Sequence, residues 1–269
     1  MKLLNDAAII TGGAQGIGRG IADELLQQGC SVIIADINEE SAEKTIEDLN
    51  NEFEADTVAI HCDVTSASSV QAMVENAIGH FGNIGILVNN AGAAQIARTW
   101  EMPEEEWQQT MDVCLNGPFL CTKTVLNHML TEGINGSIVN ISSLNYTAAT
   151  DGLSHYSAAK AGISQFTKAV AAEVGRYDIR VNAVAPGSTR TPLTENNGLV
   201  EGKIGEEFLS RTPLGRIGEP EDIAKVVVFL LSDYGQWITG ETICVDGGQH
   251  IRGLHSYWDV LEEMGAFDE

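Results

Sequence analysis

Positive charge is scarce in this chain. Its 15 Lys and Arg stand against 38 Asp and Glu, a formal net charge of −23 over 269 residues. So acidic a chain offers no nucleic-acid-binding face, which needs clustered cations against phosphates. It reads instead as a heavily solvated exterior suited to a salty cytoplasm, with steering of a cationic substrate as the lesser reading. Long apolar runs are also missing. Stretches such as residues 31–36 and 84–88 fall far short of the roughly 20 apolar residues of a membrane span. Residues 1–6 run straight into a strand-like segment and leave no room for a signal peptide. A cytoplasmic protein without a membrane partner is expected. Paired metal ligands are absent as well. The five cysteines (Cys30, Cys62, Cys114, Cys121 and Cys244) include no Cys-x-x-Cys pair, and the six histidines show no ligand spacing. That pattern points to reduced, mostly buried thiols rather than a disulfide set or a zinc site, so no metal is expected.

What the chain does have is 43% hydrophobic residues, enough for a full core, and a regular rhythm. Residues 7–11, 31–36, 57–62, 86–89, 136–141, 180–185 and 242–245 read as strands. Helix-period stretches lie between them at 16–28, 39–51, 66–81, 103–131 and 154–175. Near-continuous apolar strands alternating with helices imply a parallel seven-stranded sheet with helices on both faces. Right-handed crossovers make this α/β pattern a doubly wound, Rossmann-type fold, a single domain over residues 1–248. Two segments break the rhythm. Residues 187–213 are polar and rich in Gly, Pro and Asn, the expected substrate lid. Residues 249–269 form an acidic extension carrying Tyr257, Trp258 and Phe267. The apolar spacing of Val260, Leu261 and Met264 predicts a short docked helix there.

Chemistry enters at the first strand–helix junction, Thr11-Gly12-Gly13-Ala14-Gln15-Gly16-Ile17-Gly18. Glycines there permit a tight turn and close approach of backbone to a pyrophosphate, at a helix N-terminus that offers free N–H groups. Gly12, Gln15, Gly16, Ile17 and Gly18 are the candidate contacts. Asp36 closes the second strand, 18 residues after Gly18. A carboxylate there accepts the ribose hydroxyls of an adenosine and repels a 2′-phosphate, which favours NAD over NADP. No cation competes, since Ala14 lies in the loop and Ile37 follows. An aspartate capping the next helix would occupy the same place. Asp63 and Val64 end the third strand similarly, where Asp63 would bond the adenine amino group and Val64 flank the ring. A plain strand-ending turn fits those two as well. An anionic cofactor is mildly opposed by the overall field, so its binding must come from local geometry.

A second group follows. Tyr156 and Lys160 lie four apart on a predicted helix and share one face. A lysine cation beside a phenol stabilises the phenolate and makes it a proton donor and acceptor near neutral pH. Tyrosine and lysine at this spacing are also common on ordinary helices. Ser143 lies 13 residues before Tyr156, just past a strand, where doubly wound folds build their sites. Its hydroxyl can hold an oxygen as charge develops, although Ser142-Ser143 would also serve as a plain polar turn. Asn116 opens Asn116-Gly117-Pro118 inside a predicted helix. That is poor helix chemistry and suggests a local distortion or a simple kink.

Taken in order, these motifs resemble the short-chain dehydrogenase/reductase family over nearly the whole chain. The matching residues are Thr11–Gly18, Asp63-Val64, Asn89-Asn90-Ala91-Gly92, Asn116, Ser143, Tyr156 with Lys160, Pro186-Gly187 and Val245-Asp246-Gly247-Gly248. The resemblance implies that Tyr156 is the general acid/base, that Lys160 assists it and bonds the nicotinamide ribose, and that Ser143 polarises a carbonyl. It implies that Asn116 holds a water linking Lys160 to solvent. Asn90 would steady the sheet beside the adenosine ribose, and Thr189 and Thr191 would contact the nicotinamide carboxamide and phosphates. It also implies a homotetramer or dimer, with the Tyr156 helix in an interface. Two departures stand out: Asn5-Asp6 replaces the usual Gly-Lys before the first strand, and Gly85 replaces an Asp. The extension after Gly248 is longer than the family usually carries, and docking on a neighbouring subunit is expected of it.

The expected reaction is NAD-dependent interconversion of a secondary alcohol and its ketone. Gln95, Asn145, Tyr146, Thr150, His155 and residues 193–199 are expected pocket walls, several polar enough for a sugar, polyol or hydroxy-acid. Leu144, Leu153, Leu193 and the tail aromatics would suit a hydroxysteroid or bile acid. A non-catalytic dinucleotide sensor is the main alternative. A sugar-nucleotide epimerase would resemble a longer branch of the family, and an enoyl reductase would space its tyrosine and lysine more widely.

Overall fold

The protein is described by a computed structural model covering residues 2–3, 5, 7–53, 56–93, 95–252 and 257–266, without the side chains of 258 and 259. Phe267 and the indole of Trp258 therefore lie outside the described residues.

Seven strands form one parallel sheet in the order β3-β2-β1-β4-β5-β6-β7. They are β1 (Ala7–Thr11), β2 (Ser31–Asp36), β3 (Thr57–His61), β4 (Ile86–Asn89), β5 (Ser137–Ile141), β6 (Arg180–Pro186) and β7 (Thr242–Val245). The central strands are apolar on both sides because both sides are covered. On one face lie α1 (Gly16–Gln27), α2 (Glu39–Glu52) and α9 (Pro220–Leu231), which pack Ile21, Leu25, Leu49, Ile223 and Val227 against Ile10 and Ile34. On the other lie α3 (Ala67–Phe81), α5 (Gly117–Glu132) and α6 (Ser154–Val174), with Met73, Val125, Met129 and Val170 against Ile9 and Leu87. Each such side chain, taken fully from water, contributes roughly 1.5–3 kcal/mol. The chain winds outward from β1 to β3, then returns to β4 on the other side of β1. That reversal opens a crevice at the carboxyl ends of β1 and β4.

Three elements differ from the sequence expectation. The predicted helix over 103–131 is interrupted: α4 (Glu104–Met111) passes through a π-helical turn, Asp112–Asn116, into α5. Pro118 has no N–H to continue the regular ladder. Gly117 is required because a Cβ there would approach Val64 Cγ2 to 2.9 Å. The lid contains two helices, α7 (Pro192–Asn196) and α8 (Gly202–Arg211). Thr191 caps α7 and exchanges hydrogen bonds with Thr194. Finally α9, which the strand–helix rhythm did not announce, starts at Pro220 behind a Glu219–Asp222 capping box.

The two family departures meet in space. A Cβ on Gly85 would run into the Asn5 side chain, whose amide donates to Asn135 O at 3.0 Å. The asparagine at position 5 fills the space that a side chain at position 85 would need.

Candidate active site

The crevice is a single cavity of about 570 Å³ running from Asp36 to the lid. The end nearest Asp36 is made largely of backbone. Gly12 and Gly16 take positive φ, +61° and +56°, which suits glycine. A Cβ on Gly12 would come within 2.9 Å of Ala91 Cα. Gly18 lies beneath the cavity rather than on its wall; a Cβ there would strike Gly12 O and the Asn90 amide. Helix α1 begins without a side-chain cap and without an acid in its first turn. Its N–H groups and positive dipole end are thus left for an anion. Gln15, Gly16 and Ile17 line the cavity beside it.

Asp36 also faces the cavity. It accepts from Ala14 N at 3.1 Å and Asn38 N at 3.0 Å. It is not the cap of α2, because the Asn38 side chain accepts from Ser41 N and does that work. Lys160 is the single cation among the described lining residues. Among the described residues no cation is hydrogen-bonded or ion-paired to Asp36, and Arg19 is paired with Asp48 at 3.1 Å. Asp63 ties its own turn through Thr65, at 2.9 and 2.7 Å, yet it lines the cavity with Val64. Asn90 donates to Thr11 O and Gly12 O, at 3.0 and 2.8 Å, and so braces the glycine turn. Thr189 and Thr191 line the opposite wall. A glycine turn, an uncapped helix N-terminus and a carboxylate facing the same cavity fit a nicotinamide dinucleotide.

The chemical centre lies midway along the cavity. Lys160 is 3% exposed. Its ammonium donates to Ile141 O at 2.7 Å and sits 5.4 Å from the centre of the Tyr156 ring. Ser142 and Ser143 part company. Ser142 turns inward to Lys160 O and Ser164 Oγ, at 3.0 and 2.8 Å. Ser143 accepts from Asn145 N at 3.2 Å and opens on the cavity beside Tyr156. A strand end and a helix start thus bring a hydroxyl, a phenol and an ammonium to one wall.

Comparison with known proteins agrees with this geometry. A family model described as enoyl-(acyl carrier protein) reductase matches residues 12–250. The 3-oxoacyl-(acyl-carrier-protein) reductase FabG of Chlamydia muridarum is 39% identical, covering 91% of this chain and 98% of that one. The chain belongs to the short-chain dehydrogenase/reductase family. A short-chain dehydrogenase/reductase structure from Mycobacterium ulcerans superposes with a TM-score of 0.93 at 28% identity, covering 100% of this chain and 98% of its own. The crystal structure of levodione reductase matches at 32% identity and a TM-score of 0.88, covering 91% and 98%. As a family member the protein is an oxidoreductase that takes a nicotinamide dinucleotide.

One expected member of the short-chain dehydrogenase/reductase site is not brought to it. Asn116 is exposed, and its amide donates to Asp112 Oδ1 at 2.7 Å. The π-helical turn sets the facing of this segment, and Cys114 points inward instead. Cys114 is fully buried and its Sγ lies 3.3 Å from Ala93 O. A Cβ built on Gly92 would sit 3.9 Å from that sulfur and 3.8 Å from Lys160 Nζ, so the thiol and the ammonium flank one glycine. Two expected wall residues also lie elsewhere. Tyr146 contacts Cys244 Sγ at 3.8 Å. His155 is fully buried, with Nε2 3.5 Å from Glu106 Oε1. Burial pushes its pKa down, against the opposing pull of Glu106.

Gln95, Asn145, Thr150 and the lid residues Leu193 and Leu199 do line the cavity. Sequence reasoning missed Gln109, Phe208 and Gln249, which line it too. Gln249 holds Ser188 through N–H to Oε1 and Nε2 to Oγ, at 3.0 and 2.9 Å. The signal for Phe208 was the Ile204/Phe208 spacing, one helical turn apart in a stretch otherwise polar enough to pass for a loop. The extension folds as α10 (Tyr257–Glu263), seated on α8 of its own chain.

Proposed function

We propose that the protein is an NAD-dependent dehydrogenase/reductase that interconverts a secondary alcohol and its ketone. The observation that carries this reading is the Tyr156–Lys160–Ser143 wall, facing the same cavity as the glycine turn and Asp36. The bound nicotinamide would exchange a hydride with the carbinol carbon. Everything else falls to the chain. Ser143 donates to the substrate oxygen and fixes its place as charge develops there. The Tyr156 hydroxyl gives that oxygen a proton in reduction, or takes it in oxidation. Lys160, held by Ile141 O, keeps a positive charge beneath the phenol and so favours the phenolate that proton transfer leaves. The lid and α10 keep water from the reacting atoms.

Asp36, with no cation beside it among the described lining residues, supports NAD rather than NADP. The Ser143–Tyr156–Lys160 set, which a pure sensor has no need of, supports catalysis over sensing. The single helical turn between Tyr156 and Lys160 supports carbonyl rather than enoyl chemistry. Association through α5 and α6 is part of the same proposal. Phe119, 46% exposed, meets Phe166 edge-on at 6.4 Å on that face. No described helix is long and apolar enough to cross a membrane.

The test is formation of reduced nicotinamide by the purified protein, with NAD and then NADP, across polyols, hydroxy-acids and hydroxysteroids. Turnover with NAD and one alcohol class is expected. Intact NAD binding with no turnover of any alcohol or ketone would overturn the reading in favour of a sensor.

A further inference from the structure

The family match ends at residue 250, and the cavity does not. Helix α10 brings Tyr257 onto its far wall, 5% exposed and edge-on to Phe208 at 5.8 Å. Around it Val200, Ile204, Ile217, Val260 and Leu261 form a small apolar cluster separate from the two that cover the sheet. The lid is therefore closed by a segment with its own core. Burial pushes the Tyr257 phenol pKa up, and Tyr156 adds to the same shift. Tyr257 thus stays a neutral hydroxyl, within electrostatic reach of the proton-transferring phenol.

The rest of this end is neutral as well. Gln95, Gln109, Asn145, Asn197 and Gln249 give this end of the cavity five side-chain amides, while the cavity's described carboxylates, Asp36 and Asp63, lie at the adenosine end. Its one described cation, Lys160, is committed to Ile141 O and Tyr156. The lid cations are committed too: Arg190 to Glu195 and Glu219, Lys203 to Glu263, Arg211 to Glu207 and Arg216 to Asp222. A substrate carboxylate or phosphate would enter with no countercharge, against a net charge of −23. An acidic carrier protein would meet the same repulsion.

Resting on the reaction proposed above, we infer that Tyr257 is a specificity-determining residue. Its hydroxyl reads a second oxygen of an uncharged, carrier-free diol or hydroxyketone held under the α8–α10 cap. A single neutral hydrogen bond of ordinary net worth separates matched substrates by about three- to tenfold.

Matched probes test it: cis-cyclohexane-1,2-diol against cyclohexanol, with acetoacetyl-coenzyme A as the charged ketone. Turnover and binding to the NAD complex are both measured, for the wild type and for Tyr257→Phe, which keeps the ring on Phe208. The wild type is expected to favour the diol in kcat/KM and in affinity. Tyr257→Phe should lower kcat/KM and affinity for the diol about three- to tenfold more than for cyclohexanol, with NAD affinity unchanged. An unchanged preference, or equal losses on both alcohols, overturns the role of Tyr257. Binding of neither alcohol overturns the inference outright. Preference for acetoacetyl-coenzyme A overturns the uncharged substrate while leaving carbonyl reduction intact. Diol-selective binding without turnover supports the role of Tyr257 and overturns the reaction instead.

Discussion

The two ends of the cavity are built by different means. The adenosine end is backbone: a turn whose glycines admit no side chain, an uncapped helix start and one carboxylate, drawn mainly from residues 12–36. The substrate end is side chain: amides, Leu193, Phe208 and Tyr257, gathered from α4, the segments after β4, β5 and β7, the lid and α10. Backbone constraints are short-range and tolerate little change. Side-chain walls are long-range and can be exchanged without disturbing the turn. A fold can keep one cofactor while its substrate drifts when the two jobs are separated in this way.

Substitutions can break or sharpen that contrast. The largest effect belongs to the boundary between the ends. Tyr156→Phe should lower kcat by about 10²–10⁴-fold, the usual worth of a general acid/base, while NAD titration shows an unchanged dissociation constant. Loss of NAD binding in that variant would mean the two ends are not separable. Next is the adenosine end. Asp36→Ala removes the acceptor of two backbone N–H groups and should shift the NAD-to-NADP ratio of kcat/KM by roughly tenfold towards NADP. An unchanged ratio would leave Asp36 as a brace for the turn.

A gentler probe lies behind the substrate end, at buried His155. Its lowered pKa means that the folded protein holds the ring neutral, while the unfolded chain protonates it below about 6.5. The unfolded state then binds more protons, so stability falls as pH drops below that value and levels off beneath the folded pKa. The slope contributed is at most about 1.4 kcal/mol per pH unit. Urea midpoints between pH 7.5 and 5.5 should fall less steeply in His155→Leu than in the wild type, and parallel slopes would refute the assignment. The smallest effect is expected at Asn116, whose amide meets Asp112 away from the cavity. Asn116→Ala should leave kcat and its pH profile within about twofold, near the scatter of surface substitutions. A larger loss would place that amide in the proton path after all.

The same contrast governs what the sequence discloses. All seven strands, the glycine turn and Asp36 are legible because each is set by neighbours a few residues away: alternation, glycine spacing, a strand end. Tyr156 and Lys160 are legible for the same reason, one helical turn apart. Asn116 misleads because a π-helical turn takes more residues than an α-helical one and rotates the facing of everything near it. Periodicity cannot show which of Cys114 and Asn116 looks inward. Helix α8 is hidden because its apolar stripe of Ile204 and Phe208 finds its partner in Tyr257, nearly 50 residues on. Read locally, that stretch is only a polar lid.

The pair Asn5 and Gly85 carries a consequence for how such a chain can change. The two positions share one volume, and only one of them can fill it. Restoring a side chain at 85 while Asn5 remains produces a collision. Restoring glycine at 5 first leaves a vacancy and a lost bond to Asn135 O, which is milder. Reversion is therefore a path with a direction: position 5 must move before position 85. The two positions are therefore one steric unit, at opposite ends of a contact 80 residues apart in sequence.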